Sequence, residues 1–375
     1  MAAFKVIVIG AGLIGPRHAQ SIQAHPDTIL AAFVDPSPAA IDVAATFNVP
    51  CYASLQALLD SKDPKPDAAI VCTPNHTHVP IALELLHNGV YNILLEKPIS
   101  DSLESAEKLL AELTSLKQDK SKKVNILVGH HRRFNPYVQS TKSLLDSNSL
   151  GNIIAVNGLW TLLKPPSYFQ GIGSWRADKE KGGVLGINLI HDVDVLHYLF
   201  GPIIRVFAEG TTPQRSNAAS SLDEKNHTAE EGCAITLRFA SGVVGTFLIC
   251  DGVPSPLNFE TGTGENPTIP GVSEGASDCY RIFGSRASLS VPDMTRWSYD
   301  SVPGEKGWNS RLDVQRKDVE GKDEKPFDRQ WRHFVKVLHG EEEVACAVGD
   351  GVQALRVVRA VKDSMESGKV VDVHN

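Results

Sequence analysis

Short apolar runs rich in β-branched residues alternate with helical patterns through the first third of the chain. Phe4 to Ile9 reads as a strand buried on both faces, and a helical pattern runs from Pro16 to Ala24. Leu30 to Val34, Asp67 to Cys72 and Val90 to Leu95 repeat the strand signature, with a helical pattern from Val79 to Asn88 between the last two. Strands that alternate with helices predict a parallel sheet covered on both faces.

The rhythm changes further on. Ile153 to Trp160, Ile203 to Glu209, Gly232 to Phe239, Val243 to Cys250 and Asp278 to Phe283 have strand composition, are separated by turn residues and have fewer helices between them. That pattern predicts a mostly antiparallel sheet with one open face, a platform for self-association. The polar stretches Pro213 to Glu231 and Pro303 to Lys325 read as loops or insertions. Asp251 to Pro267, rich in Gly and Pro, reads as a pocket-lining segment, a subunit contact or an ordinary surface loop.

The turn after the first strand carries chemistry. Gly10-Ala11-Gly12-Leu13-Ile14-Gly15 stands between a strand and a helix, where a GxGxxG motif has a mechanism. Gly10 permits the tight turn, Gly12 lets backbone approach a pyrophosphate, and Gly15 allows close helix packing while helix N–H groups face the anion. Asp35 closes the second strand 20 residues past Gly15, where a carboxylate binds the ribose hydroxyls of NAD and repels a 2'-phosphate. NAD is therefore the expected cofactor, with NADP left open because Ser37 or Arg17 could accommodate a phosphate.

Two further strands end on polar residues, at the edge where open α/β sheets bind ligands. One delivers Thr73-Pro74-Asn75-His76-Thr77-His78, the other Glu96-Lys97-Pro98. A proline after Lys97 restrains that lysine to an extended backbone, which sets it apart from an ordinary surface charge.

Length and charge narrow the class. At 375 residues two domains are expected, and a net charge of -7 disfavours nucleic acid and anionic membranes as partners. The basic run Lys117 to Lys123 reads as a solvated loop. No apolar run is long enough to cross a bilayer, and Val6 to Ile9 enters a glycine turn without a cleavage-site pattern. Six cysteines lack CxxC spacing, which argues against zinc and against a disulfide framework and for a reducing, cytoplasmic setting. His76 and His78 lack a carboxylate cluster, so no metal is expected.

In this order and spacing, GxGxxG, Thr73 to His78 and Glu96-Lys97-Pro98 resemble the Gfo/Idh/MocA family of glucose-fructose oxidoreductase-like and inositol dehydrogenase-like proteins. Gly129 to Pro136, Trp175-Arg176 and Gly182 to Gly201 extend the resemblance over nearly the whole chain. It implies an α/β Rossmann domain over residues 1–128, followed over 129–375 by an α+β domain with a large, mostly antiparallel open sheet. The C-terminal helix 349–367 is a candidate to pack back toward the first domain.

The resemblance also implies site residues. Gly10, Gly12, Leu13, Ile14, Gly15, Asp35, Thr73, Pro74, Asn75, His78, Glu96 and Lys97 would line the cofactor site. Lys97 would sit near the nicotinamide and the reacting hydroxyl, while a helical histidine of the second domain, here His191, exchanges the proton. Many members carry an aspartate four residues before that histidine; this chain has Ile187, with Asn188 beside it. At 3.6 residues per turn Asn188 and Asp194 flank His191 on one helical face, Asn188 as a substrate ligand and Asp194 to orient the imidazole or hold a substrate hydroxyl, and the Gly182-Gly183 turn would let a ligand approach. His131, Arg132, Trp175 and Arg176 are the expected substrate wall, with Arg132 or Arg176 able to pair a carboxylate.

The expected activity is hydride transfer between the nicotinamide and a secondary alcohol or ketone of a sugar, cyclitol or related polyol, by a homodimer or homotetramer built through the second-domain sheet. The alternatives are NAD-assisted glycosidic cleavage without net redox change, and a non-catalytic dinucleotide sensor.

Overall fold

A computed structural model of the chain describes residues 2–63, 65–116, 123–215, 227–271 and 278–374. Most of the Lys117 to Lys123 run, and 216–226 within the polar stretch Pro213 to Glu231, lie outside them. The chain divides into two compact units, one of residues up to His131 with Lys325–Leu355, the other of Arg132–Glu324 with Arg356 onward.

The first unit is built on six strands: β1 (Phe4–Ile9), β2 (Thr28–Val34), β3 (Cys51–Tyr52), β4 (Ala68–Val71), β5 (Asn92–Leu95) and β6 (Asn125–Val128). They lie in the order β3-β2-β1-β4-β5-β6, every neighbouring pair parallel. Val6 to Ile9 and all of β4 are buried, as strands covered by helices on both faces must be. The strand order reverses direction at β1 and β4, the switch point where doubly wound sheets bind dinucleotides.

A later segment completes this unit. The helix Pro326–His339 buries Phe327, Trp331, Phe334 and Val335 on one stripe, and its Asp328 accepts a 2.6 Å hydrogen bond from Ser21 on the helix Gly15–Ala24. Periodicity can reveal that such a helix is amphipathic, but not which sheet it covers.

The second unit holds nine strands: β7 (Ile153–Thr161), β8 (Ile203–Gly210), β9 (Gly232–Phe239), β10 (Val244–Cys250), β11 (Tyr280–Gly284), β12 (Ala287–Val291), β13 (Thr295–Ser298), β14 (Asp313–Arg316) and β15 (Val371–Asp372). Their order is β14-β13-β12-β11-β7-β10-β9-β8-β15. Only β7 and β10 run parallel; the other pairs are antiparallel. One face is buried and the other open, and in register Phe283, Ala155, Val244 and Arg238 form an outward row.

One expectation fails here. The stretch Pro303 to Lys325 is not all loop, because β14 lies within it and pairs with β13. An edge strand with Val314, Gln315 and Arg316 all exposed buries too little to leave a hydropathy signal.

Candidate functional site

In the first unit the glycine turn has the shape that a pyrophosphate needs. Gly10 has φ +102°, and a Cβ there would fall 2.7 Å from the Cys72 carbonyl oxygen, so only glycine closes the turn against β4. Gly12 differs: a Cβ there would meet nothing within 4 Å. Its lack of a side chain serves no packing inside the protein and keeps the space over the turn open. Leu13 is 89% exposed and Ile14 leads directly into the helix Gly15–Ala24.

Asp35 is wired to this turn. Its Oδ2 accepts from the Ala11 N–H at 2.8 Å and its Oδ1 from the Ser37 N–H at 2.8 Å. Each oxygen keeps lone-pair capacity, so the carboxylate can also accept from a diol. The Arg17 guanidinium lies 3.9 Å over the Phe327 ring.

The two strand-end motifs brace each other. His78 is buried, with Nδ1 2.8 Å from the Pro98 carbonyl and Nε2 2.8 Å from the Thr73 carbonyl. Both ring nitrogens face backbone carbonyls, so His78, expected to line the cofactor site, sits between the turn and Pro98. Burial draws its pKa below the ordinary histidine value, against the pull of those carbonyls. Thr73, Pro74 and Asn75 remain at the surface of the turn.

Glu96 is the second such anchor. Its carboxylate is buried, Oε1 lies 2.8 Å from Nε2 of His18, and Oε2 accepts from the backbone N–H of Lys97 at 3.1 Å. Burial alone would raise its pKa; the His18 hydrogen bond, with the charges of His18, His131 and Lys97, outweighs burial and holds it at about 2. Expected to line the cofactor site, Glu96 is buried with each oxygen on a partner inside the unit, where it fixes the backbone that carries half-buried Lys97. His131 stacks on Phe327 at 4.4 Å, so one ring face is covered.

The second unit assembles its polar residues around a break in helix regularity. Leu185–Leu189 forms a π-helical turn that passes into the α-helix Ile190–Phe200. The wider turn invalidates angles reckoned at 3.6 residues per turn for residues before Ile190, though His191 and Asp194 keep their α-helical relation. His191 is buried on this helix.

The helix carboxylates meet arginines of the same unit. Both oxygens of Asp194 are gripped by Arg133, with Nε at 2.9 Å and Nη2 at 2.7 Å. A bidentate pair of this kind fixes the carboxylate that was expected beside His191 and neutralises its charge with the Arg133 guanidinium. Asp192 meets Arg132 at 3.3 Å and accepts a short hydrogen bond from the Tyr280 hydroxyl. Burial pushes its pKa up to about 7, despite Arg132 and Tyr280, with Glu260 and Glu265 adding like charge.

Arg132, expected in the substrate wall, meets carboxylates of the protein itself. Only 1% exposed, it holds Glu260 at 2.5 Å and Glu265 at 2.8 Å as well as Asp192. Three carboxylates meet all three nitrogens of the guanidinium that was expected to pair a substrate carboxylate, and their charge outweighs its own. Glu260 also accepts from the Trp160 indole N–H at 2.8 Å.

Arg176 donates to the Tyr168 carbonyl at 3.0 Å and lies 4.2 Å over the Tyr168 ring and 5.3 Å over that of Trp175, which is itself 38% exposed. The glycine pair before the helix is needed for packing. A Cβ at Gly183, φ +85°, would fall 2.1 Å from Oε1 of Glu230, so the turn admits a carboxylate of the protein where a ligand was expected.

Lys164, which sequence reasoning missed, joins this site. It follows β7, is 8% exposed, donates from Nζ to Oδ1 of Asn188 at 2.6 Å and pairs with Asp251 at 3.3 Å. Burial pulls its pKa down, opposed by Asp251. An isolated lysine between Leu163 and Pro165 carries no local signal of such a contact. Asn188, its oxygen occupied, presents its amide N–H donors.

A parallel sheet with a dinucleotide turn and a polar helix on a mixed sheet define a nicotinamide-dependent oxidoreductase. Residues 4–122 match the NAD-binding Rossmann fold of the oxidoreductase family and residues 142–373 its C-terminal alpha/beta domain. The chain belongs to the Gfo/Idh/MocA family, and its first unit is an NAD-binding domain.

An uncharacterized oxidoreductase, YrbE, of Bacillus subtilis is 22% identical over 98% of this chain and 96% of its own length. Inositol 2-dehydrogenase of Rhizobium meliloti is 28% identical, over 52% of this chain and 54% of its own. Among solved structures, a levoglucosan dehydrogenase in complex with NADH superimposes with TM-score 0.76 at 18% identity, covering all of both chains. Among the described residues no helix is long and apolar enough to cross a membrane, and no disulfide joins the six cysteines.

Proposed function

We propose that the protein is an NAD-dependent dehydrogenase that oxidises a secondary alcohol of a sugar, cyclitol or related polyol, or reduces the corresponding ketone. The observation that carries this reading is Lys97, half-buried at the carboxyl edge of an NAD-binding sheet on a backbone clamped by Glu96. The named activities of relatives such as inositol 2-dehydrogenase and levoglucosan dehydrogenase support the substrate class.

The turn Gly10 to Gly15 and Asp35 would hold the cofactor, with the turn's N–H groups on the pyrophosphate and the carboxylate on ribose hydroxyls. Bound NAD supplies a hydride acceptor. Of the chain's own groups, the His191 imidazole takes the proton from the substrate hydroxyl, and the Lys97 ammonium stabilises the alkoxide that develops there. Asn188 orients a neighbouring hydroxyl through its amide N–H groups. In the reduction direction His191 returns the proton.

The assembly is a homo-oligomer formed through the open face of the nine-stranded sheet. Its row Phe283, Ala155, Val244 and Arg238 sets Phe283 (41% exposed) and Val244 (40% exposed) beside polar neighbours. Light scattering on the purified protein tests this, and a monomer at micromolar concentration would refute it. Six thiols without a disulfide support a cytoplasmic setting.

The activity is tested with a panel of inositols, aldoses, sugar acids and cyclic diols, followed by NADH fluorescence with NADP in parallel. Stoichiometric NADH formation with a polyol is the expected result; turnover with none of the panel would refute it.

A further inference from the structure

A cavity of about 210 Å³ lies within the second unit, outside the residues assigned a part in the reaction. It exceeds the roughly 150 Å³ that suffices to hold one benzene ring, so it is sized for a single six-membered ring. Leu163, Pro166, Phe169 and Ala177 supply its apolar wall. Gln170, Gln214, His227 and Glu231 bring donors and acceptors to the same space.

Phe169 is held in place. The Arg215 guanidinium sits 4.5 Å from its ring centre, and His227 meets it edge-on at 4.9 Å. An aromatic ring fixed in this way offers a rigid face for the apolar C–H side of a ligand. The charges about the cavity cancel: Arg215 pairs with Asp251 at 2.5 Å, Asp251 also pairs with Lys164, and Glu231 accepts from the N–H groups of Gln214 and Arg215. Two cations against two carboxylates select neither an anion nor a cation. The ligand that fits is neutral, with one apolar face and hydroxyls at its rim.

One side chain ties the cavity to the segment that carries His191 within the same unit. Lys164 lines the cavity, and the same ammonium donates to Asn188, three residues before His191. Its Nζ is fixed by Asn188 and Asp251 and lies 4.6 Å from the Tyr168 ring centre, so the ammonium that lines the cavity is held in one place.

We propose that this cavity is a subsite for a second, unreacted sugar ring, so that the substrate is a disaccharide or other glycoside and not a single free ring. The inference rests on the reading of His191 as the proton acceptor and adds the size of the molecule it acts on.

Isothermal titration of the NAD-loaded protein with glucose, myo-inositol, maltose, cellobiose and trehalose tests it. At least one disaccharide should bind tenfold or more tighter than glucose. Phe169→Ala, which removes the wall, and Ala177→Trp, which fills the space, should each erase that preference while glucose binding stays within about threefold. Thermal melting checks that both variants fold, and their opposite effects on volume make a shared artefact easy to recognise. Equal affinity for one-ring and two-ring sugars, or a preference that survives both variants, would overturn the subsite.

NADH formation is read separately. A preference for two rings that depends on Phe169, without oxidation of any sugar, would sink the dehydrogenase reading and leave the subsite standing. Oxidation of free monosaccharides with no two-ring preference would do the reverse.

Discussion

Nε2 of His18 lies 2.8 Å from Oε1 of Glu96, both side chains almost wholly buried, and through this contact the helix after the glycine turn holds the strand end that carries Lys97. The Glu96 pKa of about 2 falls below its ordinary 4.5, so the folded state binds fewer protons there than the unfolded one. The stability this contributes is present above about pH 4.5 and drains away as pH falls toward 2. Glu96→Gln keeps an acceptor for His18 but no titrating group, and melting temperatures from pH 5 to 2.5 should fall less steeply in the variant. His18→Leu, which strands a buried carboxylate, should cost about 3–5 kcal/mol by urea denaturation at pH 7.

Asp192 works with the opposite sign. Its folded pKa of about 7 stands above its ordinary 3.8, so its protonated form stabilises the fold below about 3.8 and that stability is lost as pH rises through 7. Burial is the main cause, and the like charge of Glu260 and Glu265, which share one guanidinium with Asp192, adds to it. Asp192→Asn should therefore flatten the decline in stability between pH 4 and 7, measured as urea midpoints. An unchanged slope would place the proton elsewhere.

Arg133 and Asp194 form a buried bidentate pair, and breaking one side leaves an uncompensated charge. Asp194→Asn should lower stability by about 3–5 kcal/mol, while activity per folded molecule changes less than tenfold. A thousandfold loss of turnover in a fully folded variant would return Asp194 to the reacting groups.

Lys97→Met and His191→Ala should each reduce turnover by about two to four orders of magnitude, the effect of losing an oxyanion donor or a general base. NAD affinity, followed by quenching of tryptophan fluorescence, should stay within about threefold. Near-normal turnover in both would end the proposed mechanism.

Asp35→Ala removes a carboxylate that also anchors the Ala11 N–H. NAD should bind about 10- to 100-fold more weakly, as expected for losing hydrogen bonds to a charged group, while NADP changes little. Equal losses for both cofactors would mean that Asp35 acts only by holding the turn.

Much of this was legible beforehand because local chemistry reports it. β1, β4 and β9 show their burial in apolar runs or strict alternation, and Gly10 and Gly12 declare a turn by the absence of a side chain. Asp35 could be picked out by its distance from Gly15 along a strand and helix of fixed rise. The strand β14 could not, since it exposes both faces at an edge.

The sequence by itself thus determined that the first sheet is parallel and where its glycine turn falls, because each depends on residues close together in the chain, while Lys97 and His191 became candidates through motifs shared with a family. Only the tertiary structure decided which charges are already spent. Arg132, Asp194, Glu96 and His78 look like ligands in one dimension, but in the folded protein each meets a partner distant in the chain: Glu265, Arg133, His18 and Pro98 respectively. Lys164 shows the converse: with no motif around it, it reaches Asn188 because the chain beyond β7 folds back on the π-helical turn, and a polar group's role is set by the neighbours that burial forces upon it.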